Sequence, residues 1–191
     1  MYIYRKRRSK LRILLLVAIL LAIIIAGSFK AILKLMYPIK YKELVFQYAG
    51  ENNIDPYLVF SIIKAESGFD PDATSRKNAR GLMQITDSTG NWGAEKLEID
   101  NFIVDDLYLP EINIRIGCWY ISQLMKEFNN DMHLVISAYN AGSGNVSSWL
   151  KNRDLSRDGK VLDRIPFKET ENYLRKVNKY YEIYRKLYGK G

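Results

Sequence analysis

A single carboxylate stands where an apolar side chain is expected. Within residues 55–67, Val59, Ile62, Ile63 and Glu66 share one face by the i, i+3, i+4, i+7 rule, and Tyr57, Ser61 and Lys64 fall away from it. Glu66 therefore continues a buried stripe into the last turn of a helix. Burial disfavours the charged form of a carboxyl group. The partial negative charge at a helix C-terminus disfavours it too. A carboxylic acid held neutral near pH 7 can give up a proton in a reaction, as general acid catalysis requires. The competing reading is a helix-end glutamate that bends into water, where most glutamates lie.

A second polar residue sits on an apolar stripe. Met132, Val135, Ile136 and Tyr139 share a face that ends in a glycine turn at Ala141-Gly142. Tyr139 can pack its ring and still present a hydroxyl. It can equally be a core tyrosine whose hydroxyl bonds to backbone. The neighbouring Asn140 offers two donors and an acceptor for reading an amide or a hydroxyl. Asp70 and Asp72 follow Glu66 closely and could complete a pair of carboxylates, but Asp70-Pro71 reads better as the start of a loop.

Helices must position these groups. The first helical pattern covers 41–52, with Leu44, Val45 and Tyr48. Asp55-Pro56 is a start signal, an N-cap followed by proline at the first helical position. That helix runs to about Ser67, where Gly68 can take a left-handed conformation. A short helix is expected to include Leu82 to Ile85, and residues 88–110 have room for at most a small hairpin. A long helix fits 111–128, with Ile112, Ile116, Tyr120, Leu124 and Phe128 at i+4 steps. Asp131 caps another, stopped by Gly142 and Gly144. The last helix covers 168–187, with Tyr173, Val177, Tyr180 and Tyr184 on one side. The fold class is mainly α.

The charge is unevenly placed. The 191 residues carry a formal net charge of +8. Six cations (Arg5, Lys6, Arg7, Arg8, Lys10 and Arg12) and no acid lie in residues 1–29. Ile13 to Phe29 is an uncharged run of 17 residues, about 25 Å as a helix, close to the roughly 30 Å of a bilayer core. The expected layout is a basic cytoplasmic N-terminus at 1–12, a membrane anchor at 13–29, a connector at 30–40 and one globular domain at 41–188. The cations before the span place the body outside the cytoplasm. Cleavage near Ala26-Gly27-Ser28 would instead release it. Residues 41–191 hold 20 basic and 21 acidic side chains, so the positive charge is a topology signal, and no nucleic-acid partner is expected. One cysteine, Cys118, and one histidine, His133, leave no intrachain disulfide and no metal centre built on those residues. Cys118 reads as a buried apolar residue.

Ordered sequence words then become specific: Glu66-Ser67-Gly68-Phe69, Gly81-Leu82-Met83-Gln84, Ala138-Tyr139-Asn140-Ala141-Gly142, and Glu169-Thr170 with Tyr173. Asp70-Pro71, Pro110-Glu111-Ile112-Asn113-Ile114 with Gly117, and Ile165-Pro166-Phe167 support them. Together they resemble the soluble lytic transglycosylase (SLT) domain family over roughly residues 42–188. The resemblance implies a lysozyme-like, goose-type α fold that cleaves peptidoglycan. It makes Glu66 the single catalytic acid/base, supported by Ser67 and by a hydrogen bond from Tyr139. It places Met83 and Gln84 beside the glycan and Asn140 on a sugar N-acetyl or hydroxyl group. Glu169 and Tyr173 would close the far wall. The partners implied are a peptidoglycan glycan strand and, through the N-terminal helix, the cytoplasmic membrane. No cofactor is implied. Two positions depart from the family pattern: Arg80 before Gly81, where a small residue is common, and Ile85-Thr86-Asp87, where many relatives carry a proline. Trp92, Trp119 and Trp149 could stack on sugars, but core packing is expected for at least two. The alternatives are a hydrolytic muramidase and a non-catalytic wall-binding scaffold of an envelope complex.

Overall fold

The computed structural model describes residues 15–17, 20–21, 27–28 and 30–189. The chain divides into two units, Met1–Pro38 and Ile39–Gly191. In the first, residues 30–36 are helical. The expected anchor at 13–29 lies largely outside the described residues. Among the described residues no helix is long and apolar enough to cross a membrane.

The second unit is built from helices: α1 (Lys42–Glu51), α2 (Pro56–Glu66), α3 (Asp87–Lys96), a 3-10 helix (Val104–Tyr108), α4 (Pro110–Glu127), α5 (Met132–Ala141), α6 (Ser143–Lys151) and α7 (Lys168–Tyr188). Local chemistry sets several of their ends. The Asp55 carboxylate accepts from the Tyr57 N–H at 2.8 Å, with Pro56 beside it at the helix start. Asp131 accepts from the Leu134 N–H at 3.0 Å and starts α5 in the same way. Gly68 turns left-handed at φ 63° and donates back to the Ile63 carbonyl at 3.1 Å, which ends α2.

α2 and α7 run antiparallel and make the most extensive helix pairing of the unit. Near the start of α2, Tyr57 Oη donates to the Tyr188 carbonyl at 2.6 Å, and the Asp55 carboxylate accepts from Tyr181 Oη at 2.7 Å. In the middle Phe60 stacks on Tyr184 with ring centroids 5.7 Å apart. The far end of the same pairing brings α7 to Glu66. α2 is buried on more sides than an amphipathic stripe requires. Leu58, Val59, Phe60, Ile62 and Ile63 are all enclosed. Ser61, expected to face away, is enclosed as well, and its hydroxyl is satisfied by the Tyr57 carbonyl at 2.6 Å.

Three elements differ from the expectations. Residues 81–84 form a tight turn rather than a helix. The turn uses left-handed residues at Gly81 (φ 72°) and Gln84 (φ 50°), and Arg80 forms isolated β-bridges with Thr74 and Ile85. The 88–110 segment holds α3 and the 3-10 helix in place of a hairpin. α3 is weakly apolar, and what it buries is Gly90, Gly93 and Ala94. Its inner stripe is a pattern of smallness. A Cβ at Gly93 would sit 2.7 Å from Ile116 Cγ2, so the close approach to α4 depends on glycine. Finally, Gly142 at φ 88° stops α5 but does not stop helical structure, because it also serves as the cap residue of α6. Val146 and Trp149 bury the inner face of that helix.

The 81–84 turn hangs on a side chain from α4. Asn113 is fully buried. Its amide nitrogen donates to the Arg80 carbonyl at 2.9 Å and the Leu107 carbonyl at 2.7 Å, and its oxygen accepts from the Met83 N–H at 2.7 Å. Replacing it leaves the Met83 N–H and the Leu107 carbonyl buried and unpaired, at roughly 1–3 kcal/mol each, while the Arg80 carbonyl keeps the Ile85 N–H at 3.0 Å. Asn113→Leu should therefore cost about 3 kcal/mol or more, lowering the Tm by roughly 6–12 °C in a domain of this size. A thermal melt showing a drop of less than about 2 °C would rule out the amide as the support of the turn.

Candidate active site

Glu66 ends α2 facing α7. Its Oε1 accepts a 2.6 Å hydrogen bond from Tyr173 Oη, and Tyr173 is itself buried. The carboxyl group is pushed up from 4.5 to about 7, chiefly by loss of water around it. The Tyr173 hydroxyl and the Lys176 ammonium pull it down, and the Glu169 carboxylate pushes it up further. The balance gives a carboxyl that exchanges its proton near neutrality, as the stripe of apolar residues before it led us to expect. The expected contribution of the helix end is counteracted: Lys176 Nζ donates to the Ala65 carbonyl at 2.8 Å.

The tyrosine that touches Glu66 is not the expected one. Tyr139 Oη donates to the Met83 carbonyl at 2.8 Å. It thus matches the reading of a core tyrosine bonded to backbone. It still lies within the electrostatic reach of Glu66: burial first, and the Glu66 carboxylate after it, hold its own hydroxyl well above the usual range. Tyr173, expected on the far wall, occupies the place beside the carboxyl group.

The other predicted residues separate into two sets. Ser67 Oγ donates to the Leu82 carbonyl at 2.8 Å and accepts from the Phe69 N–H at 3.1 Å. It ties the end of α2 to the 81–84 turn, and its hydroxyl bonds to Ile63, Leu82 and Phe69 rather than to Glu66. The Met83 side chain is fully buried instead of lining a cleft. It packs on α4 so closely that a Cβ at Gly117 would lie 2.3 Å from its sulfur. Only the backbone of Met83 serves the site, through Tyr139 and Asn113. Gln84 and Asn140 do line a common cleft of about 320 Å³, together with Thr86, Ser88, Thr89, Tyr120 and Tyr139. The Asn140 oxygen accepts from Thr170 Oγ1 at 2.8 Å, so α5 and α7 are joined at the cleft edge. Glu169 is exposed. Asp70 and Asp72 are exposed too, with Asp70 Oδ1 bound to the Asp72 N–H at 3.0 Å in a loop turn. Two larger hollows of about 650 and 830 Å³ flank Asp131, Leu134 and Val161, and Glu66 is among the lining residues of neither these nor the 320 Å³ cleft.

Sequence reasoning did not single out Thr86, Ser88 and Thr89 as cleft residues. Their signal was a run of hydroxyls ahead of a stripe of small residues, with Thr86 capping α3 through its bond from the Thr89 N–H at 3.3 Å. The two departures from the family pattern are one interaction. The Arg80 guanidinium pairs with the Asp87 carboxylate in the first turn of α3, and with Asp105 at 3.8 Å. The pair braces the hydroxyl-bearing end of α3 against the turn. Of the tryptophans, Trp119 and Trp149 are buried, while Trp92 is exposed and meets Trp119 edge-on at 4.6 Å. Cys118 is buried, and His133 is exposed.

The family model described as "Transglycosylase SLT domain" matches residues 43–161. The chain belongs to this family. It is 32% identical over 167 residues to a soluble lytic murein transglycosylase of Escherichia coli, covering 86% of this chain and 26% of that protein. It is 30% identical over 161 residues to membrane-bound lytic murein transglycosylase C of Photorhabdus laumondii, covering 73% of this chain and 45% of that one. The crystal structure of the 70 kDa soluble lytic transglycosylase from E. coli superposes with a TM-score of 0.73 at 30% identity, covering 86% of this chain and 27% of the other. The mainly α, lysozyme-like SLT fold follows from this likeness. The chain spans about a quarter of the length of the soluble relatives. The matched segment ends before α7, so Tyr173 and Lys176, which act on Glu66 in this SLT domain, lie beyond it.

The raised carboxyl has a consequence for stability. The folded state keeps the Glu66 proton at pH values where the unfolded chain has lost it. Folding stability therefore falls as pH rises from about 4.5 to about 7, by about 3 kcal/mol in total. Glu66→Gln removes that loss and can still accept the Tyr173 hydroxyl. Its Tm should exceed the wild-type value at pH 8 and lose that advantage below pH 4. A Tm difference that stays constant from pH 4 to pH 8 would contradict a raised Glu66.

Proposed function

We propose that this chain is a peptidoglycan lytic transglycosylase with Glu66 as its only acid/base. The observation that carries the reading is a desolvated carboxyl exchanging its proton near pH 7 under the Tyr173 hydroxyl. The names of the relatives point to the same substrate class. In the first step Glu66 gives its proton to the glycosidic oxygen between N-acetylmuramic acid and N-acetylglucosamine, and the bond to the anomeric carbon breaks. The neighbouring N-acetyl oxygen stabilises the positive charge left there. In the second step the Glu66 carboxylate takes the proton of the muramic acid 6-hydroxyl, whose oxygen closes onto the anomeric carbon. A 1,6-anhydro ring forms, water is not consumed, and Glu66 is protonated again. The nucleophile belongs to the same sugar, so positioning replaces a second carboxylate. Tyr173 holds Glu66 in place and favours its carboxylate form. Ser67 fixes the end of α2, and Tyr139 holds the Met83 backbone. Gln84 and Asn140 offer amide contacts to the glycan, and Glu169 lies at the far wall.

One observation favours a hydrolytic second reading: Glu169 acts electrostatically on Glu66, as the partner in a carboxylate pair would. Mass spectrometry of purified wall glycan digested in 18O-labelled water separates the two. Anhydro ends without solvent oxygen are expected, with loss of at least about 100-fold in Glu66→Gln. Reducing ends carrying 18O would establish the hydrolase, and absence of cleavage by the wild type would leave the wall-binding scaffold.

The basic residues 5–12 and the uncharged run at 13–29 support an N-terminal anchor, with the SLT domain outside the cytoplasmic membrane. The membrane-bound relatives agree in name. Protease added outside intact spheroplasts should then digest the domain and spare the N-terminus. Release of the domain into the medium would instead indicate cleavage near Ser28.

A further inference from the structure

Three groups of α7 act on Glu66 from one helical face. Glu169, Tyr173 and Lys176 are spaced i, i+4 and i+7. Tyr173 donates to the carboxyl group itself. Lys176 binds the carbonyl of Ala65, the peptide immediately before Glu66. Glu169 presents a like charge and Lys176 an opposite one. The remaining ionisable neighbours are Tyr139 of α5 and, in the last turn of α2 itself, Lys64. The 81–84 turn meets the end of α2 through Ser67 and carries no ionisable side chain. α1 also packs on α2, and its Tyr48 is bonded to Glu111.

We propose that Lys176 is a positioning residue for Glu66: anchored on the end of α2, its ammonium opposes Glu169 across one face of α7, and the two together adjust the proton exchange of Glu66. The proposal rests on the reading of Glu66 as acid/base and deepens it. A single residue that must give a proton and then take one needs both forms close in free energy. Burial and Glu169 favour the protonated form that starts the reaction. Lys176 favours the carboxylate that exists between the two proton transfers. Removing either charge should tilt the balance in a known direction. The proposal concerns charge and placement, so arginine should replace lysine and methionine should not.

The test is a 13C NMR titration of the Glu66 side-chain carboxyl in the purified full-length chain, its signal assigned by its absence from Glu66→Gln. Lys176→Met should move the midpoint up by roughly half a pH unit or more. Glu169→Gln should move it down, the double variant should return toward wild type, and Lys176→Arg should leave it in place. The alkaline limb of kcat/KM should follow the midpoint. A purely structural lysine gives a different pattern, in which Lys176→Met lowers the Tm and leaves the midpoint unchanged. That result overturns the proposal, as does an unchanged midpoint in Glu169→Gln, an exposed-site variant expected to fold. Shifted midpoints in a chain that cleaves no glycan would uphold the charge pairing and refute the transglycosylase reading.

Discussion

The hydrogen bond from Tyr173 to Glu66 depends on the antiparallel packing of α7 along the whole length of α2. A carboxyl group at the last turn of a helix would ordinarily bend into water. Here the Tyr57, Phe60 and Asp55 contacts with Tyr188, Tyr184 and Tyr181 fix the register of α7. That register brings Tyr173 over Glu66 at 2.6 Å. Much of the water around the carboxyl is displaced, and it moves to about 7. The aromatic contacts therefore belong to the chemistry as much as to the core, since slippage of α7 by one residue would take the hydroxyl off the carboxyl group.

The second support is the 81–84 turn, and its logic is polar. Asn113 satisfies three backbone groups at once, and Tyr139 satisfies a fourth. Met83 and Gly117 lock the turn on α4 by shape. Ser67 joins it to the end of α2. The residues that resemble a family signature are mostly parts of this scaffold, and only some of them face the cleft. Met83 is the clearest case, because it is enclosed and contributes its backbone alone. The Arg80–Asp87 pair adds a brace at the cleft rim and accounts for two departures from the family pattern as one interaction.

Legibility in the sequence followed the kind of signal each element carries. α2, α4, α5 and α7 were readable, because apolar periodicity marked all four and Asp start signals marked α2 and α5. α3 was not, because its buried stripe is Gly90, Gly93 and Ala94, which a search for apolar side chains passes over. α6 was hidden by Gly142, a residue that stops one helix and starts the next. At the site, Glu66 stood out as a polar residue on an apolar stripe. The choice between Tyr139 and Tyr173 as its partner was not legible, because it depends on the register between helices about a hundred residues apart, 107 for the Glu66–Tyr173 pair. Lys176 was invisible for the same reason.

The account stands or falls on a neutral carboxyl at position 66 in the resting protein. Infrared difference spectra of wild type minus Glu66→Gln, collected across a pH series, report the protonated C=O stretch of that group directly. The predicted result is a carboxylic acid band present at pH 6 that disappears with a midpoint near 7. Loss of the band with a midpoint near 4.5, the value of an ordinary exposed glutamate, would contradict it.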